Sequence, residues 1–175
     1  ANNMTYNPVV IESVDEVNAA YFAGRCDVYT TDASGLAGTR AAVAPNPADH
    51  VILPEVVSKE PLGPLVRHGD DQWFDLVKWT YFALLDAEEL GVTSKNVDEM
   101  VKSTNPDVKR LLGSDGKYGE AIGLTADWVV RIVKAVGNYG EIYDRNVGPE
   151  TPLGIERGVN NLWTKGGLQY GMPVR

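Results

Sequence analysis

The stretch GRCDVYTTDASGL, residues 24–36, sets strand-forming residues against an aspartate and then against a Ser-Gly step that suits a helix entrance. CDVYTT (26–31) carries β-branched and aromatic residues, and ASGLAGTRAAV (33–43) reads as a helix that ends before Pro45 and Pro47. Asp32 falls at the joint. As a helix N-cap, its carboxylate would satisfy free backbone N–H groups. At the carboxyl end of a strand in an open α/β sheet, it would face a ligand crevice. The local sequence leaves these two readings level.

Outward from this joint the alternation continues. TYNPVVI (5–11) reads as a strand, and Ser13 with Glu16 forms a capping box for a helix carrying Val17, Ala20 and Tyr21 until Gly24 stops it. HVILPE (50–55) supplies a third short strand. Strands separated by short helices make a parallel α/β sheet the economical architecture, because parallel neighbours need crossover connections. Residues 1–56 are therefore expected to form part of an α/β lobe.

From Lys59 the character changes. KEPLGPLVRHGDD (59–71) reads as extended, and Asp70 and Asp71 open a long helix, where acidic residues cap free N–H groups and complement the dipole. QWFDLVKWTYFALLDAEELG (72–91) is apolar around most of its circumference, which predicts a buried helix ending at Gly91. Glu88 and Glu89 are expected on a solvated face. SKNVDEMVKS (94–103) predicts a short amphipathic helix, and Asn105-Pro106 starts another. A further helix follows Ala126, with Trp128, Val129, Ile132, Val133 and Val136 at 3, 4 spacing, Thr125 as cap and Gly137-Asn138 as an end or break. The Gly- and Pro-rich tail has one helical stretch around Ile155 to Trp163. Trp73, Trp79, Trp128 and Trp163 are expected in the core.

Composition narrows the function. With 43% hydrophobic and 23% charged residues, the chain can bury a core. A net charge of -8 argues against nucleic acid, which needs clustered Lys and Arg. No apolar run approaches the roughly eighteen residues of a membrane span, and ANNMTYNP shows no signal-peptide character. Cys26 is the single cysteine and reads as a small buried hydrophobe. His50 and His68 lack partners at metal-ligand spacing, so no metal site is expected. Ser34 lacks the flanking glycines of a hydrolase elbow, and GLAG (35–38) lacks a phosphate-loop ending. No catalytic constellation and no cofactor site emerge.

Three long stretches carry a resemblance: AAYFAGRCDVYTTDASGLAGTRAAV (19–43), VILPEVVSKEPLGPLVRHGDDQWFDLVKWTYFALLDAEELGVTSKNVDEM (51–100), and NYGEIYDRNVG (138–148) with GIERGVNNLWTKGGLQY (154–170). Together they resemble the periplasmic general L-amino-acid-binding proteins of bacterial ABC importers, along the whole chain. The resemblance implies a two-lobed α/β periplasmic-binding-protein fold, of which this chain would be the C-terminal half. Residues 1–56 would be the latter part of ligand-binding lobe 2. Residues 57–91 would be the returning hinge strand and long helix of lobe 1, and 92–175 a C-terminal helical extension packing on that lobe.

The implied function is capture of free L-amino acids between two lobes, without catalysis, and delivery to membrane permease subunits from the periplasm of a Gram-negative bacterium. Asp32, at the end of the D-x-x-x-x-D stretch that begins at Asp27, would accept the ligand's α-ammonium group. The arginine that clasps the ligand carboxylate, and a Thr-Gly-Thr turn, would lie in the other half, as would a cysteine able to pair with Cys26 in an oxidising periplasm. Unpaired strand edges would leave this half prone to self-association. The alternatives are a dehydratase-like enzyme on the same scaffold, for which Asp32 would need an acid-base partner, and a sensory ligand-binding domain.

Overall fold

Helices, joined by turns and extended chain, dominate the described residues, 3–175, of the computed structural model. The chain divides into two units, Ala1–Pro61 and Leu62–Arg175.

In the first unit, α1 spans Val14–Phe22 and α2 spans Ala33–Ala42. The Ser13 side chain accepts from the Glu16 N–H at 3.5 Å, a long capping bond. At the other end Gly24, with φ of 72°, lets Arg25 N–H reach the Ala20 carbonyl and Gly24 N–H reach that of Tyr21. These two bonds form a Schellman stop, for which a left-handed residue is required. Ala20 and Ala37 are buried, while α1 also buries Asn18, whose Oδ1 finds no donor among the described residues.

The sheet expected from the β-α alternation is not formed among the described residues. Segments 5–11, 26–31 and 50–55 run without ladder partners, and Val10 is 91% exposed. β-Branched residues favour an extended backbone, but a strand exists only where a neighbour supplies its hydrogen bonds. Among the described residues the one bridge is parallel, between Leu162 and Gln169 in the second unit.

The second unit is built on α3 (Asp71–Glu89), against which α5 (Pro106–Leu111), α6 (Trp128–Val136) and α7 (Tyr139–Asn146) pack; the single turn α4 (Val97–Met100) packs on α6. Asp70 caps α3 through the Trp73 N–H at 3.1 Å, and Asn105 caps α5 through the Asp107 N–H at 2.9 Å. Only the C-terminal half of α3 is buried, through Ala83, Leu85, Asp86 and Ala87. Val97, Val108, Leu111, Trp128, Val129 and Val133 complete the core around Ala83 and Ala87. Truncating one of these aliphatic side chains to Ala removes transfer energy and leaves a cavity.

Several expectations change here. Thr125 does not cap α6; its hydroxyl donates to Asp127 at 2.5 Å, and Asp127 precedes the helix without a side-chain cap bond. Trp128 is buried, but Trp73 and Trp163 are each 51% exposed. Trp73 lies in the first turn of α3, before the helix reaches the core. Glu88 is not solvated: its side chain is 8% exposed and pairs with Arg157 at 3.1 Å. Arg157 also lies over the rings of Tyr139 and Tyr143, and its guanidinium donates to the Asn160 carbonyl. Such a buried carboxylate is tolerated because it is paired and hydrogen-bonded.

Gly137-Asn138 does break the helical run. Gly137 ends α6 at φ 85°, and Asn138 opens α7 with a full capping box to Glu141. Asn138 Nδ2 reaches back 2.8 Å to the Val92 carbonyl, and Glu141 accepts from both the backbone N–H and the hydroxyl of Ser94. The α6–α7 corner is thereby stitched to the turn after α3.

Candidate functional site

Asp32 is the N-cap of α2. Its backbone is extended and its Oδ2 accepts from the Gly35 N–H at 3.0 Å and from the Ser34 hydroxyl at 2.8 Å. Oδ1 accepts from the Thr31 hydroxyl at 3.2 Å, leaving acceptor capacity on that oxygen. The bond from Ser34, followed by that from Gly35, outweighs desolvation and holds the carboxyl below its usual range, so it is ionised at neutral pH. Gly35 leaves it room: a Cβ there would stand 3.1 Å from Oδ1.

This arrangement is a half-exposed, fixed negative charge with both oxygens held by neighbours and acceptor capacity left on Oδ1. It can neutralise a cation such as an ammonium through a charge-assisted hydrogen bond. Of the two readings the sequence leaves for Asp32, the structure shows the cap; the sequence reading passed over Thr31 and Ser34, for which the run T-D-A-S, with hydroxyls one residue before and two after an N-cap aspartate, was the available signal.

Asp27 lies on the exposed extended segment before α2. His50 is half-buried against Tyr21 and Phe22, with the Tyr21 hydroxyl 3.1 Å from its Nδ1. His68 is exposed. Cys26 is a free thiol of intermediate exposure. Among the described residues no group of three or more His, Cys, Asp or Glu side chains is placed to hold a metal ion, and no helix is long and apolar enough to cross a membrane.

A second candidate lies within the second unit. A cleft of about 220 Å³ is lined by Asp86, Glu89, Asp107, Trp163, Tyr170 and Gly171, among others. Asp86 is 9% exposed, and burial, followed by the charges of Glu89 and Asp107, pushes its carboxyl up to about 7. Glu89 accepts from Trp163 Nε1 at 3.2 Å, and Asp107 pairs with Arg110.

No family model matches the chain. Curated proteins do. It is 62% identical over 99% of its length to the general L-amino acid-binding periplasmic protein of Rhizobium johnstonii. It is 54% identical over its full length to the glutamate/glutamine/aspartate/asparagine-binding protein of Rhodobacter capsulatus. A putative amino-acid ABC transporter-binding protein of Escherichia coli is 53% identical over the same length.

Along its whole length the chain is similar to periplasmic amino-acid-binding proteins of ABC transporters. Its fold matches an ABC transporter periplasmic binding protein from Brucella ovis, solved with glutathione bound, at a TM-score of 0.90 and 62% identity over 99% of this chain. The chain spans about half the length of the curated relatives it matches, 51% of the Rhizobium protein, and 55% of the Brucella chain. Helices and unpaired extended segments are thus part of a periplasmic-binding-protein fold, and the matched relatives are binding proteins rather than enzymes.

Proposed function

We propose that this chain is part of the solute-binding component of an amino-acid ABC importer, which captures free L-amino acids in the periplasm and presents them to membrane permease subunits. The observation that carries this reading is the 62% identity, over 99% of the chain, to a general L-amino acid-binding periplasmic protein. Asp32 would accept the ligand's α-ammonium, since its carboxylate is ionised, partly exposed and fixed by Thr31, Ser34 and Gly35.

An anionic acceptor for the ammonium reads a group common to all amino acids, which suits broad specificity. Capture would proceed by population shift, with the ligand favouring whichever state lets it touch both lobes. No covalent step is needed. Residues 1–56 would belong to lobe 2, residues 57–91 to the hinge strand and long helix of lobe 1, and residues 92–175 to its helical extension.

Thermal denaturation of the full-length protein with L-amino acids, and with their α-hydroxy and N-acetyl counterparts, tests this reading. Stabilisation by amino acids alone is expected. Equal stabilisation by analogues lacking the ammonium would contradict the role given to Asp32, and turnover of the amino acid, seen by mass, would favour an enzyme.

A further inference from the structure

The segment Gly171–Arg175 runs over the C-terminal half of α3, and one buried carboxylate decides how it sits. A Cβ at Gly171 would fall 2.4 Å from Asp86 Oδ1 and 3.2 Å from the Phe82 carbonyl oxygen. The backbone of the segment therefore rests directly on Asp86. Three residues on, the Val174 N–H turns toward the same carboxylate. The Val174 side chain joins the core beside Ala83 and Ala87. The segment is thus held to one stretch of one helix by a polar contact at Asp86 and an apolar contact at Val174.

Burial and the charges of Glu89 and Asp107 oppose the ionisation of Asp86 and outweigh the Val174 N–H, which favours it. Glu89 faces it from α3 and Asp107 from α5, while Arg175 and Tyr170, from the overlying segment, also line the cleft. Among the described residues Asp86 forms no ion pair, whereas Asp107 pairs with Arg110 and Glu89 takes the Trp163 N–H. A neutral carboxyl sits in such a place at modest cost. A carboxylate there has one backbone N–H to offset its desolvation and two further negative charges beside it.

We propose that Asp86 is a proton-operated latch for residues 170–175: protonated, it keeps the segment seated in the cleft over α3, and ionised, it releases it to let water reach the charge. Because the seated state holds the carboxyl at about 7, seating is favoured at acidic pH and lost as pH rises through neutrality. Release would bare the carboxylates of Asp86, Glu89 and Asp107 beside Trp163.

Hydrogen exchange of the full chain, read as protection factors corrected for the intrinsic pH dependence of exchange, tests the latch. Between about pH 5.5 and about pH 8.5, protection at the Val174 amide should fall about tenfold, while amides of Ala83 to Ala87 keep theirs. In Asp86→Asn the protection of the segment should be the same at both values. The exposed variant Glu89→Gln, which leaves the core untouched, should move the midpoint to lower pH. Unchanged protection in the wild type, an equal fall in Asp86→Asn, no displacement in Glu89→Gln, or a parallel loss in α3 would each overturn the proposal.

Discussion

At Asp32 the cap and the ligand role make different demands. Asparagine keeps an acceptor for the Gly35 N–H but loses the charge, and alanine loses both. In urea denaturation of the full-length protein, Asp32→Ala is expected to cost about 1 kcal/mol and Asp32→Asn close to nothing, whereas both should lose amino-acid binding. Glu88 poses a simpler case. Removing it leaves Arg157 buried between Tyr139 and Tyr143 without its carboxylate. Glu88→Ala should therefore destabilise by about 3 kcal/mol in the same measurement, although the residue touches no proposed ligand.

Among the elements, the α6–α7 corner turns on a single backbone conformation. Gly137 has φ of 85°, and a Cβ there would meet Glu141 Cβ at 2.7 Å, displacing the residue that closes the capping box. Gly137→Ala should cost about 2 kcal/mol, seen as a lowered melting temperature of the chain, with the loss carried by α7 and its ties to Ser94. Helix positions were legible because caps and stops are local: Asp70, Asn105, Gly24 and Gly91 each act within a turn of their own helix. The α7 capping box in N-Y-G-E was equally local, and its signal went unused. Strands were not legible in the same sense, because Val9, Val28 and Val51 favour extension but cannot supply the neighbour that makes a ladder. The pairing of Glu88 with Arg157 spans 69 residues, so the charge pattern of α3 alone made Glu88 look solvated. Asp32 was found from its place after an extended run, yet its ligand role came only from resemblance.

On the scale of the whole molecule, burial is uneven. The hydrophobic core belongs to the second unit, while the first exposes Val10, Val56 and Val57 almost fully. Proteolysis of the chain should cut within residues 1–61 well before α3, and light scattering should find the chain larger than a monomer as unpaired extended segments associate. Proton linkage acts across the second unit. Asp86 has an ordinary carboxyl value of 3.8 when exposed and about 7 when folded, so its contribution to stability is complete below about pH 3.8 and is lost as pH rises through 7. Urea denaturation across that range should show the decline, and Asp86→Asn should flatten it.

In the proposed role Asp32 is an ionised carboxylate held for the ammonium of an amino acid. Calorimetric titration of the full-length protein with L-amino acids, wild type against Asp32→Asn, tests it most directly. A loss of affinity of at least about thirtyfold is predicted for every amino acid that binds, with the fold intact. Unchanged affinity in a folded Asp32→Asn protein would rule out that role and leave Asp32 as a helix cap.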